Sequence, residues 1–192
     1  MSAAAVVMNG SGMGPRNRSR SGEINILSYP SRQGEDLMGV EEMIKGHDLF
    51  RTLGFDDISY ISTFSASTTY NKGDTVFMDG REGSHFFVVL DGMVDLKLPS
   101  RTGTTDLVVG RMTNGSILGL SPLLGFDRYT THAVCVEDST ILRIEVAPFR
   151  ELLNENALVG SQIMNVIARV YFSRYVDTLK RIQNILSEVA LH

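Results

Sequence analysis

Two glycines four positions apart frame the stretch Gly115-Ser-Ile-Leu-Gly-Leu120, and a mixed polar run, Arg128-Tyr-Thr-Thr-His-Ala-Val-Cys-Val-Glu-Asp138, follows it. Asn114, Ser116, Tyr129, Thr130, Thr131 and His132 would give a site a neutral lining rich in hydroxyl groups. Such a lining suits hydrogen-bonded recognition of a small molecule rather than bond making. Nothing marks one serine as an activated nucleophile, and no Ser/His/Asp or Cys/His arrangement stands out. His85 and His132 are the residues a haem or metal would use, and they are read here as hydrogen-bonded structural residues. The four histidines, His47, His85, His132 and His192, are widely separated and form no His-x-His pair. A metal-dependent β-roll of the cupin type would need that pair with further acid and histidine ligands. The expectation is therefore a binding module with no metal, no cofactor and no catalysis.

The elements that must position these residues are short and β-rich. Runs at Ser67–Tyr70, Thr75–Met78, Phe86–Leu90, Val94–Leu98, Leu107–Val109, Ala133–Val136 and Thr140–Val146 recur at close spacing. Gly73, Gly80, Gly83, Gly92, Gly103, Gly110 and Gly115 lie between or beside them, as tight turns require. This pattern predicts a mainly β fold with flanking helices, a double-stranded β-helix or jelly-roll barrel rather than βαβ units. Phe87, Val89, Met93 and Leu96 do not alternate cleanly with polar residues. That strand pair is expected to be covered on both faces.

Helical patterns flank the strands. Leu37, Val40, Met43 and Ile44 share a face, followed by Leu49, Phe50 and Leu53. Asp56 opens a second short helix, where it is expected to cap the end and complement the dipole. After Asn156 a long amphipathic helix runs on, with Ala168, Phe172, Tyr175, Leu179, Ile182, Leu186 and Val189 at alternating spacings of three and four. This heptad seam predicts a two-stranded coiled coil and hence a homodimer. The alternative is that the stripe packs on its own barrel. A helix of more than thirty residues would be roughly 45 Å long, more than so small a barrel covers. The expected organisation is a flexible tail over 1–34, a β-roll with its N-terminal helices over 35–156 and a dimerisation helix over 157–192.

The 192 residues are 43% hydrophobic, enough for one core with tails, and the net charge of −4 gives no basic stripe for nucleic acid. The single cysteine, Cys135, excludes an intramolecular disulfide and any cysteine-held cluster, and reads as a small buried hydrophobe. No run approaches the roughly 18 apolar residues of a membrane span. The start, Met-Ser-Ala-Ala-Ala-Val-Val-Met, is too short for a signal-peptide core, so the default location is cytoplasmic. Residues 9–22 are rich in glycine, serine and arginine, and Arg16, Arg18 and Arg20 read as solvated, the alternative being contact with an acidic partner or nucleic acid.

Over roughly residues 45–180 the ordered spacing resembles the cyclic-nucleotide-binding domain, the sensor module of the Crp/Fnr regulators and of kinase regulatory subunits. Tyr70-Asn-Lys-Gly-Asp74 is similar to the family's entry into the barrel. Gly80-Arg-Glu-Gly-Ser-His-Phe-Phe-Val-Val-Leu-Asp-Gly92 is similar to its turn, apolar strand and second turn. Ala147-Pro-Phe-Arg-Glu-Leu-Leu153 resembles the short helix before the long one, and Gly115–Leu120 with the run from Arg128 resembles the phosphate-binding cassette. The resemblance implies pocket positions at Gly119, Leu120, Ser121, Arg128, Tyr129 and Thr130, and a C-terminal helix that shifts when ligand enters.

In the family, a glutamate after the second glycine accepts from the ribose 2′-hydroxyl. An arginine about nine positions on neutralises the phosphate, and a following helix N-terminus adds donors. This chain has Leu120 and Tyr129 at those places. Charge-assisted hydrogen bonds contribute about 1.5–3 kcal/mol each, so both exchanges together weaken cAMP or cGMP by several powers of ten. Arg128 lies one residue early, and strand alternation turns it away from the pocket. A compensating deletion within Leu124–Asp127 is the alternative that would restore it. Crp/Fnr factors continue into a helix-turn-helix module, which the residues up to His192 do not supply. The reading is thus a stand-alone regulatory or interaction module acting through an unknown protein effector. A sensor of a nucleotide or another small effector in the altered pocket is one alternative, and a purely structural subunit is the other.

Overall fold

The structure, a computed structural model, describes residues 36–100 and 106–190. The sequence-predicted tail over 1–34 with its arginines, the turn glycine Gly103, and His192 lie outside the described residues. So do the side chains of Leu37, Leu186 and Val189.

The elements run α1 (Asp36–Lys45), a 3-10 turn (Asp48–Phe50), α2 (Phe55–Thr63), β1 (Ser65–Tyr70), β2 (Thr75–Phe77), β3 (His85–Asp91) and β4 (Val94–Leu98). They continue with β5 (Leu107–Met112), β6 (Ile117–Leu118), β7 (His132–Cys135), β8 (Ser139–Glu145), α3 (Val146–Glu155) and α4 (Ala157–Ala190). Two four-stranded antiparallel sheets, ordered β1-β8-β3-β6 and β2-β7-β4-β5, form the expected jelly roll. All seven predicted strands are present within two or three residues at their ends. β6 is the addition: two residues carry no period that a sequence can display.

β3 explains the layering. Phe86, Phe87, Val88 and Val89 are all fully buried, yet alternate residues face different cores. Phe86 and Val88 join Leu142 and Ile144 of β8 against the helices, with Val40, Ile44, Phe50, Ile61, Phe149 and Ile163. Phe87 and Val89 join Ile141, Phe77, Val94, Leu96 and Ala133 inside the roll. The absence of polar alternation in this strand therefore reflects cover on both faces, as the sequence indicates.

Local chemistry sets the boundaries. Ser65 Oγ donates to the Ile61 carbonyl at 2.7 Å where α2 gives way to β1. Gly54, not Asp56, is the N-cap of α2, and it offers no side-chain bond. Asp56 sits in the first turn, so the expected cap role is replaced by a purely electrostatic one with the helix dipole. Asn156 ends α3 and caps α4, its Oδ1 accepting from the Val159 amide at 3.2 Å. Between β4 and β5 a bidentate pair forms: Arg111 Nε and Nη2 lie 2.8 and 3.0 Å from the carboxylate of the buried Asp95.

The β3–β4 turn needs a glycine. Gly92 has φ +96°, and a Cβ there would lie 2.6 Å from the Asp138 carbonyl oxygen and 2.7 Å from Ser139 Cα. Both are backbone atoms that cannot swing aside. Gly92→Ala is expected to cost at least about 2 kcal/mol, combining left-handed strain with the clash. A urea titration should show a lowered midpoint with an unchanged slope.

Candidate functional site

The cassette packs its side chains into both cores. Gly119, at φ +62°, brings the chain so close to three rings that a Cβ would meet Phe87 at 3.1 Å, Tyr129 at 3.2 Å and Phe77 at 3.3 Å. Leu120, at the glutamate position, is buried in the helix-side core with Leu123. Residues 121–125 form successive turns, with the Leu124 and Phe126 amides both donating to the Ser121 carbonyl. The Leu124 amide also donates to the Leu120 carbonyl at 3.2 Å, so these residues make turns where the resemblance implies a helix N-terminus. Pro122 packs within 2.0 Å of the place a Cβ on Gly83 would occupy, which ties this turn to the β2–β3 loop.

Tyr129 occupies the arginine position and closes on itself chemically. Its ring stacks on Phe77 at 4.4 Å between centroids. Its hydroxyl donates to the His85 carbonyl at 2.8 Å and accepts from the His85 amide at 3.3 Å. Its backbone pairs with Arg81 and Gly80. The phenol is therefore spent on β3. Arg128 is exposed on the other side of this bridge, donating to the Gly80 carbonyl at 2.6 Å. It borders a separate, open groove of about 940 Å³ that also carries Arg81, Glu82, His85, Asp127, Glu145 and Arg150.

A cavity of about 300 Å³ remains beside the cassette. Gly119, Leu120, Ser121, Thr130, Thr131, Phe77 and Leu96 form its floor and wall, and Tyr171, Arg174, Tyr175 and Thr178 of α4 cover it. Five of the sequence-predicted positions, Gly119, Leu120, Ser121, Thr130 and Thr131, thus meet here, whereas Arg128 and Tyr129 are not among the lining residues. Asn114 and Ser116 are spent in the β5–β6 turn, Asn114 Nδ2 on Asp91 at 3.2 Å and Ser116 Oγ on the Thr113 amide at 3.1 Å. The α4 contribution was missed by the sequence reading. Its signal was present: Tyr171, Arg174, Tyr175 and Thr178 fall at i, i+3, i+4 and i+7, one helical face.

Arg174 is the charged member of this lining. Its guanidinium donates to the Ile117 carbonyl and makes no ion pair with a carboxylate among the described residues. Burial lowers its pKa from the ordinary value, and burial raises that of Tyr171, which Arg174 partly offsets.

The described histidines hold the fold. His47 Nδ1 accepts from the Leu49 amide at 3.1 Å, so Nε2 carries the proton it donates to the Gly115 carbonyl at 2.9 Å. His132 Nδ1 accepts from the Asp79 amide at 2.8 Å. His85 Nδ1 lies 2.8 Å from Ser84 Oγ. Among the described residues no group of three or more His, Cys, Asp or Glu side chains could hold a metal ion. Cys135 is buried, and burial raises its thiol pKa, so it is a poor nucleophile in the folded state.

The family profile described as cyclic nucleotide-binding domain matches residues 67–156, which span both sheets, the cassette and α3. Residues 67–156 form a cyclic nucleotide-binding-like domain. It is 23% identical over 131 residues to a cGMP-dependent protein kinase of Plasmodium berghei, a match covering 68% of this chain and 15% of the kinase. It is 21% identical over 149 residues to a cAMP-dependent protein kinase regulatory subunit of Dictyostelium discoideum, covering 77% of this chain and 45% of that subunit. The chain thus spans under half the length of these relatives. Among solved structures, the sensor domain of the transcriptional regulator DNR from Pseudomonas aeruginosa superposes with a TM-score of 0.63 at 16% identity. That match covers 73% of this chain and 94% of the sensor domain, and it shows the shared fold.

His85 gives the domain a pH signature. Burial first, then the positive charge of Arg143, lowers its pKa from 6.5, with Glu145 opposing. The unfolded chain then holds the extra proton between about pH 6.5 and the lower folded value, so stability falls as pH drops through that window. His85→Gln keeps a polar group beside Ser84 and removes the titration. Its thermal midpoint should decline less than that of the wild type between about pH 7 and about pH 5.5. Parallel declines would show that another group sets the slope.

Proposed function

We propose that this chain is a non-catalytic regulatory module whose domain does not take cAMP or cGMP by the family's usual anchors and which signals through α4 to a protein partner. The observation that carries this reading is Tyr129, whose hydroxyl is committed to both backbone groups of His85 and whose ring is stacked on Phe77. No guanidinium stands at the phosphate position, and Leu120 is packed in the core where the ribose acceptor would be. A phosphate held at the cassette and a 2′-hydroxyl beside Leu120 would give up water without the two partners that the family supplies there. The cavity of about 300 Å³ under α4 favours a small effector over a pocket filled by its own side chains. No helix among the described residues is long and apolar enough to cross a membrane, which fits the cytoplasmic setting proposed here.

The partner reading rests on α4. Val159, Ile163 and Ile167 pack against the helix-side core, but the seam residues further along do not. Phe172 and Tyr175 are 68% and 60% exposed, and Leu179 and Ile182 are close to half exposed. Their stripe is thus a second face, separate from the one that docks on the barrel. Its heptad spacing suits a second copy of the same helix.

Calorimetric titration with cAMP and with cGMP at micromolar concentrations should give no measurable binding heat. A dissociation constant in the low micromolar range would sink the altered-pocket reading. For assembly, burying each seam side chain contributes roughly 1.5–3 kcal/mol. Sedimentation should therefore show a dimer for the wild type and a folded monomer for the double change Leu179→Asp, Ile182→Asp. A monomeric wild type would remove the homodimer from this proposal.

A further inference from the structure

The cavity beneath α4 has an unusual balance of chemistry for one whose cassette charges are gone. Ser121, Thr130, Thr131 and Thr178 are neutral, and Tyr171, Tyr175 and Phe77, the last already stacked on Tyr129, are its aromatic members. The formal charge in the lining is that of Arg174, which comes from the covering helix rather than from the cassette. A guanidinium has five donors in a fixed fork. The bond to the Ile117 carbonyl uses one nitrogen, Nη2, and no carboxylate pairs with the group among the described residues. A partly buried cation without a counterion is electrostatically costly, and a matching anion relieves that cost with two charge-assisted bonds. The desolvation that depresses its pKa points the same way. The space is a cleft of about 300 Å³ flanked by the exposed Tyr171 and Tyr175, a size that a compact guest fills.

We infer that this cavity binds a compact aromatic anion, a ring bearing a carboxylate or phosphate, with Arg174 as its charge anchor. The ring lies against Phe77 and Tyr171, and the hydroxyls of Thr130, Thr131 and Thr178 complete the hydrogen bonding. This inference rests on the reading of the domain as a small-effector module. It moves the charge contact from the cassette to the helix that carries the output. Such an anion would share Arg174 with the Ile117 carbonyl, so occupancy would act on a contact between α4 and β6.

Benzoate, phenyl phosphate and the neutral isostere benzamide test this on the full chain by chemical-shift titration. At least one of the two anions should bind, with shifts at Thr130, Tyr171 and Thr178, and benzamide should bind roughly 10- to 100-fold more weakly than benzoate. Arg174→Gln should abolish the preference for the anion, and Arg174→Lys should restore part of it. The comparison of benzoate with benzamide in the wild type needs no variant, so a folding defect in Arg174→Gln does not blunt the test. Equal binding of benzamide and benzoate would overturn the anion inference while leaving a small-effector pocket in place. Binding of an anion that survives Arg174→Gln unchanged would overturn the anchor. Failure of all three probes to shift the cavity residues would overturn the inference and remove the pocket's support for the small-effector reading.

Discussion

The architecture depends on burying the β3–β8 pair on both faces. Each of these strands sends alternate side chains to two different cores, one shared with the helices and one inside the roll. A strand covered on both sides has no solvent face to absorb a register slip, since a shift of one residue would exchange the two cores. Phe86 and Phe87 are adjacent in sequence yet pack against unrelated partners, Phe149 and Phe77 respectively. Fixing this pair fixes where β6 joins β3, and therefore where the cassette begins. It also fixes the His85 backbone to which Tyr129 is tied.

That tie changes the character of the site. An arginine at position 129 would present a charge to the pocket, while a tyrosine of similar reach turns into the aromatic cluster and satisfies its hydroxyl on β3. Leu120 makes the equivalent substitution on the other side, exchanging a polar wall for core volume. Both side chains add apolar surface to the cores that flank the cassette. The formal charge of the cavity beside them comes from Arg174 of the helix above it.

α4 presents two faces, one that docks and then covers the cavity and one that is the exposed stripe. Its first turns dock through Val159, Ile163 and Ile167. Gly160 permits this close approach, as a Cβ there would stand 2.5 Å from the Leu153 carbonyl oxygen. The middle covers the cavity, and Tyr175 belongs both to that cover and to the exposed stripe. Any change in the cavity that displaces Tyr175 would alter the stripe, which links the cavity to the exposed face of the helix. A 34-residue helix reaches about 50 Å, so much of it extends beyond the cavity.

The sequence by itself determined the jelly roll, because glycine turns at φ values such as that of Gly92 and uninterrupted apolar strands are local requirements that residue types state directly. It also determined that the cassette lacks its two charges, since Leu120 and Tyr129 are read without coordinates. The capping of α2, the fate of Asn114 and Ser116, and the turn in place of a helix after Gly119 were decided by tertiary structure. Each depends on which backbone groups come within hydrogen-bonding distance, and spacing along the chain does not encode that. The same holds for Arg174. Helical period places it on a face with Tyr171 and Thr178, but only the docking of α4 through Val159 and Ile163 turns that face toward the cassette, 57 residues away in sequence at Ile117.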